Sequence, residues 1–178
     1  MAGLMERMLG AAKLDAATYE EVENDATATP QAMLVVVLAS VAGGLGAIRA
    51  TGIVGLLLAA LASLVGWFVW AFVTFVLGTR VLPGAKTQAD VGQLLRTIGF
   101  SATPGLIRSL GIIGGLEELV AIVASLWMLA AMVVAVRQAL DYESMGRAVA
   151  VCAIGFAVNF AMLFLVGRLL GAPVVIAP

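Results

Sequence analysis

The residues of this sequence that could do chemistry are few, and most of them stand at the ends of long apolar stretches. Arg96 and Arg108 flank a glycine-containing segment, Glu117 and Glu118 follow a Gly-Gly pair, and Asn159 lies within the last apolar stretch. Arginines and carboxylates can form charge-assisted pairs, and an asparagine inside an apolar helix needs a hydrogen-bond partner. These five residues form the candidate polar or ion-pair site, with Arg108 and Glu118 as the expected pair.

Enzymatic chemistry lacks its usual residues here. The chain has no histidine, and its single cysteine, Cys152, lies in an apolar run without a second thiol. Histidine is the commonest general base and metal ligand, so we predict no enzyme, no metal site and no cofactor. The glycines of 42–46 lack the strand and lysine of a phosphate-binding loop, and no basic stripe suits nucleic acid.

The composition indicates a membrane protein. Of the 178 residues, 62% are hydrophobic and 12% are charged, whereas soluble domains are about half apolar and about a quarter charged. Asp, Glu, Lys and Arg are absent from four stretches that are each long enough to cross a bilayer, 26–48, 50–79, 119–136 and 148–167. Nothing ahead of the first stretch resembles a cleavable signal peptide, so we expect the N-terminus to be retained.

A further crossing is predicted over residues 91–113, although this stretch contains two arginines. Arg96 and Arg108 are 12 residues apart, about 18 Å along a helix, so each can reach an opposite surface of the membrane. Pro104 favours either a kinked helix or two half-helices. The expected fold is therefore an all-α, polytopic integral membrane bundle of five transmembrane helices, of which the third is short, irregular and covered by the others.

The N-terminal residues 1–29 are predicted to form a separate unit ahead of the membrane domain, residues 30–178. Apolar positions from Leu4 to Ala12 recur at helical spacing, which predicts an amphipathic helix on the membrane surface. An acidic connector follows, in which Asp15 can cap a helix and Pro30 can occupy the first turn of the first span.

Small residues indicate where helices pack closely, because they let backbones approach. The predicted packing positions are Gly43, Gly46, Gly55, Ala59, Ser63 and Gly66. We expect membrane lipids as partners, together with other membrane proteins or further copies of this chain.

The charges in the loops predict the orientation. With five spans and a cytoplasmic N-terminus, seven Lys and Arg residues lie inside and three outside, which agrees with the positive-inside rule. The C-terminus is then outside. If residues 91–113 do not cross, the bias falls to five against four.

Four residues of the third segment, Gly99, Phe100, Ser101 and Pro104, resemble the glycine, aromatic, serine and proline signature of the Ypt-interacting-protein (Yip) family. The resemblance implies five membrane helices and a cytosolic N-terminus, with roles in vesicle traffic and membrane shaping in eukaryotes. The acidic Asp-Leu-x-Gly-Pro-x-Trp segment of the eukaryotic members is absent, which argues against binding of Rab GTPases. The composition favours a prokaryotic member in the cytoplasmic membrane.

Two functions follow as hypotheses. The first is a non-enzymatic membrane-organising, scaffold or accessory protein that acts through lipid and helix contacts. The alternative is a small transporter or channel with a polar cavity around the broken third span.

Overall fold

The computed structural model describes residues 2–45, 48–113 and 115–169, and these residues form helices joined by short loops, without a strand. The helices are α1 (Leu4–Ala12), α2 (Ala16–Asn24), α3 (Thr29–Gly44), α4 (Ile48–Val76), α5 (Val91–Ser101), α6 (Glu117–Ala139) and α7 (Met145–Leu169). A 3₁₀ turn (Ala26–Ala28) precedes α3, a π turn (Leu77–Val81) ends α4, and a 3₁₀ segment (Thr103–Ile112) follows α5. The all-α prediction is confirmed.

Helix starts follow the predicted capping residues. The Asp15 carboxylate accepts hydrogen bonds from the backbone N–H groups of Ala17 and Thr18, and Pro30 lies in the first turn of α3. Asp90 caps α5 in a reciprocal arrangement with Gln93. Each cap satisfies backbone donors that the first turn of a helix leaves without partners.

Four helices are long and apolar enough to cross a membrane: Ala26–Gly44, Thr51–Val81, Glu117–Ala139 and Met145–Met162. These correspond to four of the five predicted spans. The second begins just before a break at Gly52, whose φ of 65° lies in the left-handed region that glycine adopts without strain. The break separates the short helical start at Ile48 from the long straight part of α4.

The third segment, residues 91–113, is α5 followed by the 3₁₀ segment, and it runs beside α3 and α6. A Cβ atom placed on Gly99 would lie 2.7 Å from the Cβ of Ala32, and one on Gly105 would lie 3.3 Å from that of Ala39. Residue numbers therefore increase in the same direction along the third segment and along α3. The third segment is parallel to α3 and antiparallel to α6, which places α5 and the start of α3 on one side of the bundle, called here the near side.

The first two helices form the N-terminal hairpin, residues 4–24. The chain reverses at Leu14, whose φ is 61°. Gly10 lets the two helices meet, since a Cβ there would lie 2.0 Å from the Thr18 hydroxyl oxygen. Behind this contact Tyr19 is fully buried, and its hydroxyl donates to the Ala11 carbonyl at 3.2 Å.

The hairpin differs from the predicted surface helix in its placement. Helix α1 packs against α2, α5 and the 3₁₀ segment, with Met8 and Ala11 buried and Met5 and Leu9 exposed. The amphipathic pattern predicts a helix on the membrane surface, but in the structure part of its apolar face is covered by protein.

Candidate functional site

The third segment is joined to its neighbours by several specific contacts, and the first of them is a close helix crossing. Gly99 stands 3.2 Å, measured from an ideal Cβ, from the backbone of Ala32 in α3. Any larger side chain would push the two helices apart. Phe100 beside it is fully buried in the core.

The hydroxyls of Ser101 and Thr103 stabilise the transition from the α-helix to the 3₁₀ segment through hydrogen bonds. The Ala102 N–H donates to the Gly99 carbonyl, a step of three residues, and the Ser101 hydroxyl donates to the Ile98 carbonyl at 2.7 Å. Pro104 has no N–H to offer the Phe100 carbonyl, and the Thr103 hydroxyl donates to that carbonyl at 2.7 Å. Both carbonyls that the irregular backbone would leave without partners are thereby satisfied.

The sequence predicts that Arg96 reaches a surface of the membrane; in the structure its side chain is buried, with 8% of its surface exposed. Its Nε donates to the carbonyls of Val22 (2.9 Å) and Glu23 (3.1 Å), and its Nη2 also donates to the Glu23 carbonyl. These carbonyls belong to the last turn of α2, where the helix has no backbone N–H groups left to donate to them. A cation is also favoured at this end by the helix dipole, so Arg96 fixes the hairpin to α5.

Arg7 forms a second attachment of the hairpin, which the sequence pattern did not reveal. Its side chain is 2% exposed and its Nη2 lies 2.5 Å from Asp25 and 3.0 Å from Glu21. Its Nη1 donates to the Gln31 side chain in the first turn of α3 at 3.0 Å. One guanidinium therefore joins α1 to α2 and α3. Its partners are 14 to 24 residues away in the chain, beyond the reach of local spacing rules.

The hairpin extends along α6 to the middle of the bundle. Near its open end, the Gln138 side chain donates to Glu20 at 3.1 Å. At its turn, the Trp127 indole N–H donates to the Ala12 carbonyl at 2.7 Å. Trp127 lies near the middle of α6, so the hairpin covers the near half of the groove between the third segment and α6.

Glu23 is the buried carboxylic acid of this interface, at 5% exposure. It accepts a hydrogen bond from Gln93 of α5 at 3.0 Å. Burial, reinforced by the negative charges of Asp141, Glu20 and Asp90 and opposed by Arg96, raises the pKa of Glu23 to about 7. By contrast, hydrogen bonds from Thr27 and Arg7 lower the pKa of Asp25 to about 2.

Arg108 lies on the side of the bundle opposite the near side, called here the far side. Its contacts there differ from the predicted ones. Its Nη2 donates to the Ser125 hydroxyl at 3.0 Å, and its buried Nε has no partner among the described residues. No ion pair within the described ranges joins Arg108 to Glu118. The guanidinium points inward along α6, and Glu117 lines a cleft of about 220 Å³ with it. Adjacent helical residues face different directions, and it is Glu117 that faces the cleft.

Asn159 lies half-buried in α7, far along the chain from the groups just described. It makes no hydrogen bond to the part of the chain that the structure describes. The structure therefore gives no contact that joins Asn159 to Arg108 or Glu117.

The predicted packing residues also separate into different surroundings. Gly43 contacts the Arg108 side chain, and the Ser63 hydroxyl donates to Ser40 of α3 at 3.0 Å. Gly66 has no neighbouring atom within 4 Å of an ideal Cβ, and Ala59 is exposed. Gly55 meets only Thr51 of its own helix, and Gly46 lies outside the described residues.

Comparison with known families gives one result, and it covers most of the chain. The family model described as the Yip1 domain matches residues 16–167. Neither the comparison with curated proteins nor the comparison with solved structures returned a significant match. The match extends from α2 into α7 and includes the Gly-Phe-Ser and proline residues that shape the third segment. On this match the chain, a membrane protein with several apolar helices, belongs to the Yip family.

Proposed function

We propose that the chain crosses the membrane five times and that the third segment is one of the crossings. Its α-helical part has 11 residues and its 3₁₀ part has 10. A 3₁₀ helix rises about 2.0 Å per residue against about 1.5 Å for an α-helix, so the two parts together span about 36 Å. This length is sufficient to cross a hydrocarbon layer of about 30 Å.

Contacts at both ends of the bundle support this crossing. Gly99 lies against Ala32, near the start of α3, on the near side, and Gly111 lies beside Glu117, the first residue of α6, on the far side. Since α3 and α6 are themselves long enough to span, a segment that accompanies both from end to end crosses with them. The lysine and arginine count then favours a cytoplasmic N-terminus, and we expect a prokaryotic cytoplasmic membrane.

Within the membrane we propose a non-enzymatic scaffold or accessory function, carried by contacts with lipids and with other helices. The observation that supports it is the exposure of α4. Only 6% of its most apolar stretch is buried within the chain, against 33% for the span that contains α3. No residue from 51 to 66 is buried and most of them are exposed to lipids or partners, whereas the second half of α4 packs into the bundle through Trp67, Trp70 and Ala71.

The exposed surface of α4 has two distinct faces. Large side chains, among them Leu57, Leu61 and Phe68, form one face. Gly55, Ala59, Ala62 and Gly66 follow at spacings of four, three and four and form the other, at about 120° around the helix. The large residues suit lipid chains, and the small residues suit close approach of another helix. We propose that the small-residue face mediates association with a second copy or with a partner protein.

Association through this face can be measured by counting copies. Wild-type protein labelled with one fluorophore is reconstituted at low density in liposomes, and photobleaching steps are counted. Gly66→Leu is expected to weaken association about fivefold, because about 1 kcal/mol of helix contact is lost. Leu61→Phe adds bulk to the lipid-facing side and is the control. Wild-type protein that stays monomeric at every density, or a Gly66→Leu variant that associates like wild type, would contradict the proposal.

The transporter alternative receives less support from the third segment. The hydroxyls of Ser101, Thr103 and Ser109 donate to carbonyls within the same segment. They satisfy the irregular backbone and are not directed toward a solute. We therefore propose the scaffold or accessory function ahead of transport.

A further inference from the structure

The far-side cleft contains an arginine whose hydrogen-bonding capacity is largely unused. A guanidinium carries five N–H donors. Among the described residues, Ser125 is the single acceptor for Arg108, and the buried Nε atom has none. Most donors of this guanidinium therefore remain available to an oxygen acceptor that the described residues do not supply.

The opposite charge stands in the same cleft without neutralising Arg108. Glu117 lines the cleft together with Gly43, Gly111 and Ala121, in a space of about 220 Å³. Arg108 and Glu117 do not form an ion pair with each other. A ligand that suits both walls has an anionic group for Arg108 and a cationic group for Glu117.

The surroundings of the cleft are apolar and exposed. Leu110, Ile113 and Leu119 beside it are 53%, 56% and 60% exposed. In a membrane protein such side chains at the end of spanning helices contact lipid chains. A ligand here would therefore carry hydrocarbon next to its charged head.

We propose that the cleft between Arg108 and Glu117 binds the phosphoethanolamine headgroup of a membrane lipid. The phosphate oxygens accept hydrogen bonds from the terminal Nη atoms of Arg108, and the ammonium lies against the Glu117 carboxylate. Gly43 and Gly111 have no side chains, and this leaves space in the walls of the cleft for the headgroup to enter. An anionic lipid without an amine would meet the same arginine but would be repelled by Glu117. This inference requires only that the chain is a membrane protein, and it holds whether or not α4 mediates association.

Native mass spectrometry of protein released from nanodiscs of defined composition tests the assignment. The nanodiscs contain phosphatidylethanolamine, phosphatidylglycerol and phosphatidylcholine in equal amounts. Wild-type protein is expected to retain one phosphatidylethanolamine preferentially. Arg108→Gln is expected to weaken its retention about tenfold, the equivalent of one charge-assisted contact. Arg168→Gln, at another exposed arginine, is the matched control and should retain the lipid.

A second variant keeps the test decisive if Arg108→Gln folds poorly. Glu117→Gln lies in the first turn of α6 and is expected to bind lipid while losing the preference for phosphatidylethanolamine over phosphatidylglycerol. An unchanged preference in Glu117→Gln, or wild-type protein without any preference, would overturn the proposal. Glycerophosphoethanolamine, which has the headgroup without the chains, is expected not to displace the lipid. Displacement at equal concentration would contradict a lipid as the ligand.

Discussion

Thr103 and Ser101 are the residues that make an irregular backbone tolerable at this position. Each hydroxyl donates at 2.7 Å to a carbonyl that the local geometry would otherwise leave without a donor. In water such a carbonyl would bind solvent, but both residues are buried in the core of the bundle. The hydroxyls therefore donate the hydrogen bonds that backbone N–H groups donate to carbonyls in a regular helix.

Replacing the Thr103 hydroxyl tests this assignment. Thr103→Val keeps the shape of the side chain and leaves the Phe100 carbonyl unpaired, so we expect a loss of about 1 kcal/mol in the free energy of unfolding. Unfolding in mixed detergent micelles, followed by circular dichroism, gives the value.

Thr97→Val is the matched control for this variant. Thr97 is equally buried and donates to Gln93, but within α5 that carbonyl already accepts the backbone N–H of residue 97. Equal losses in the two variants would show that the Thr103 hydroxyl has no special role.

Local interactions at the residue scale could be predicted from the sequence, and non-local ones could not. Asp15 caps its helix as predicted, because a cap involves only residues two or three positions away. Local sequence spacing, in contrast, predicts no partner for Arg7. Its carboxylate and amide partners lie on two other elements, and only the folded hairpin brings them together.

At the scale of elements, the N-terminal hairpin is attached to the bundle through polar groups, one of which titrates near neutral pH. Glu23 is buried with Asp141, Glu20 and Asp90 nearby and Arg96 on the other side, and its pKa is raised to about 7. The docked hairpin therefore binds the proton of Glu23 more tightly than a released hairpin. Docking is then strongest below about pH 4.5, the ordinary value for this carboxyl, and weakens as the pH rises through about 7.

Distances between spin labels measure this pH dependence. Labels at the exposed positions 17 on α2 and 86 in the loop before α5 are expected to show a growing long-distance population between pH 5.5 and 8. Glu23→Gln, which cannot ionise, should abolish the change, while Glu6→Gln on the exposed side of α1 should leave it intact. A distance distribution that is the same at both pH values in wild type would exclude Glu23 as the responsible group.

The third segment shows which elements the pattern of apolar residues can predict. Four long helices match four predicted spans, because an uncharged run of about 20 residues has few alternatives to a spanning helix. The proline predicted an irregular third element but left open a kinked helix or two half-helices. The structure has an α-helix that continues as a 3₁₀ segment, and this outcome depends on the side-chain bonds of Ser101 and Thr103 and on contact with α3 and α6.

At the scale of the whole molecule, the two ends of the bundle differ in character. The near side holds the hairpin with its buried ion pairs, hydrogen-bonded carboxyls and exposed acids. The far side has an arginine and a glutamate in an open cleft among exposed apolar residues. Helix α4 extends between the two ends, and most residues of its first half are exposed. This arrangement suits a protein whose contacts with partners and lipids are its function.

Thiol labelling of intact cells determines whether the third segment crosses the membrane. Single cysteines are placed at the exposed positions Ala85, Leu110 and Glu143 in a Cys152→Ala background, and an impermeant maleimide is added from outside. We expect labelling at position 110 and protection at 85 and 143, with all three labelled after permeabilisation. Labelling at 143 together with protection at 85 would mean that residues 91–113 return to the side from which they enter, and the five-span account would be wrong.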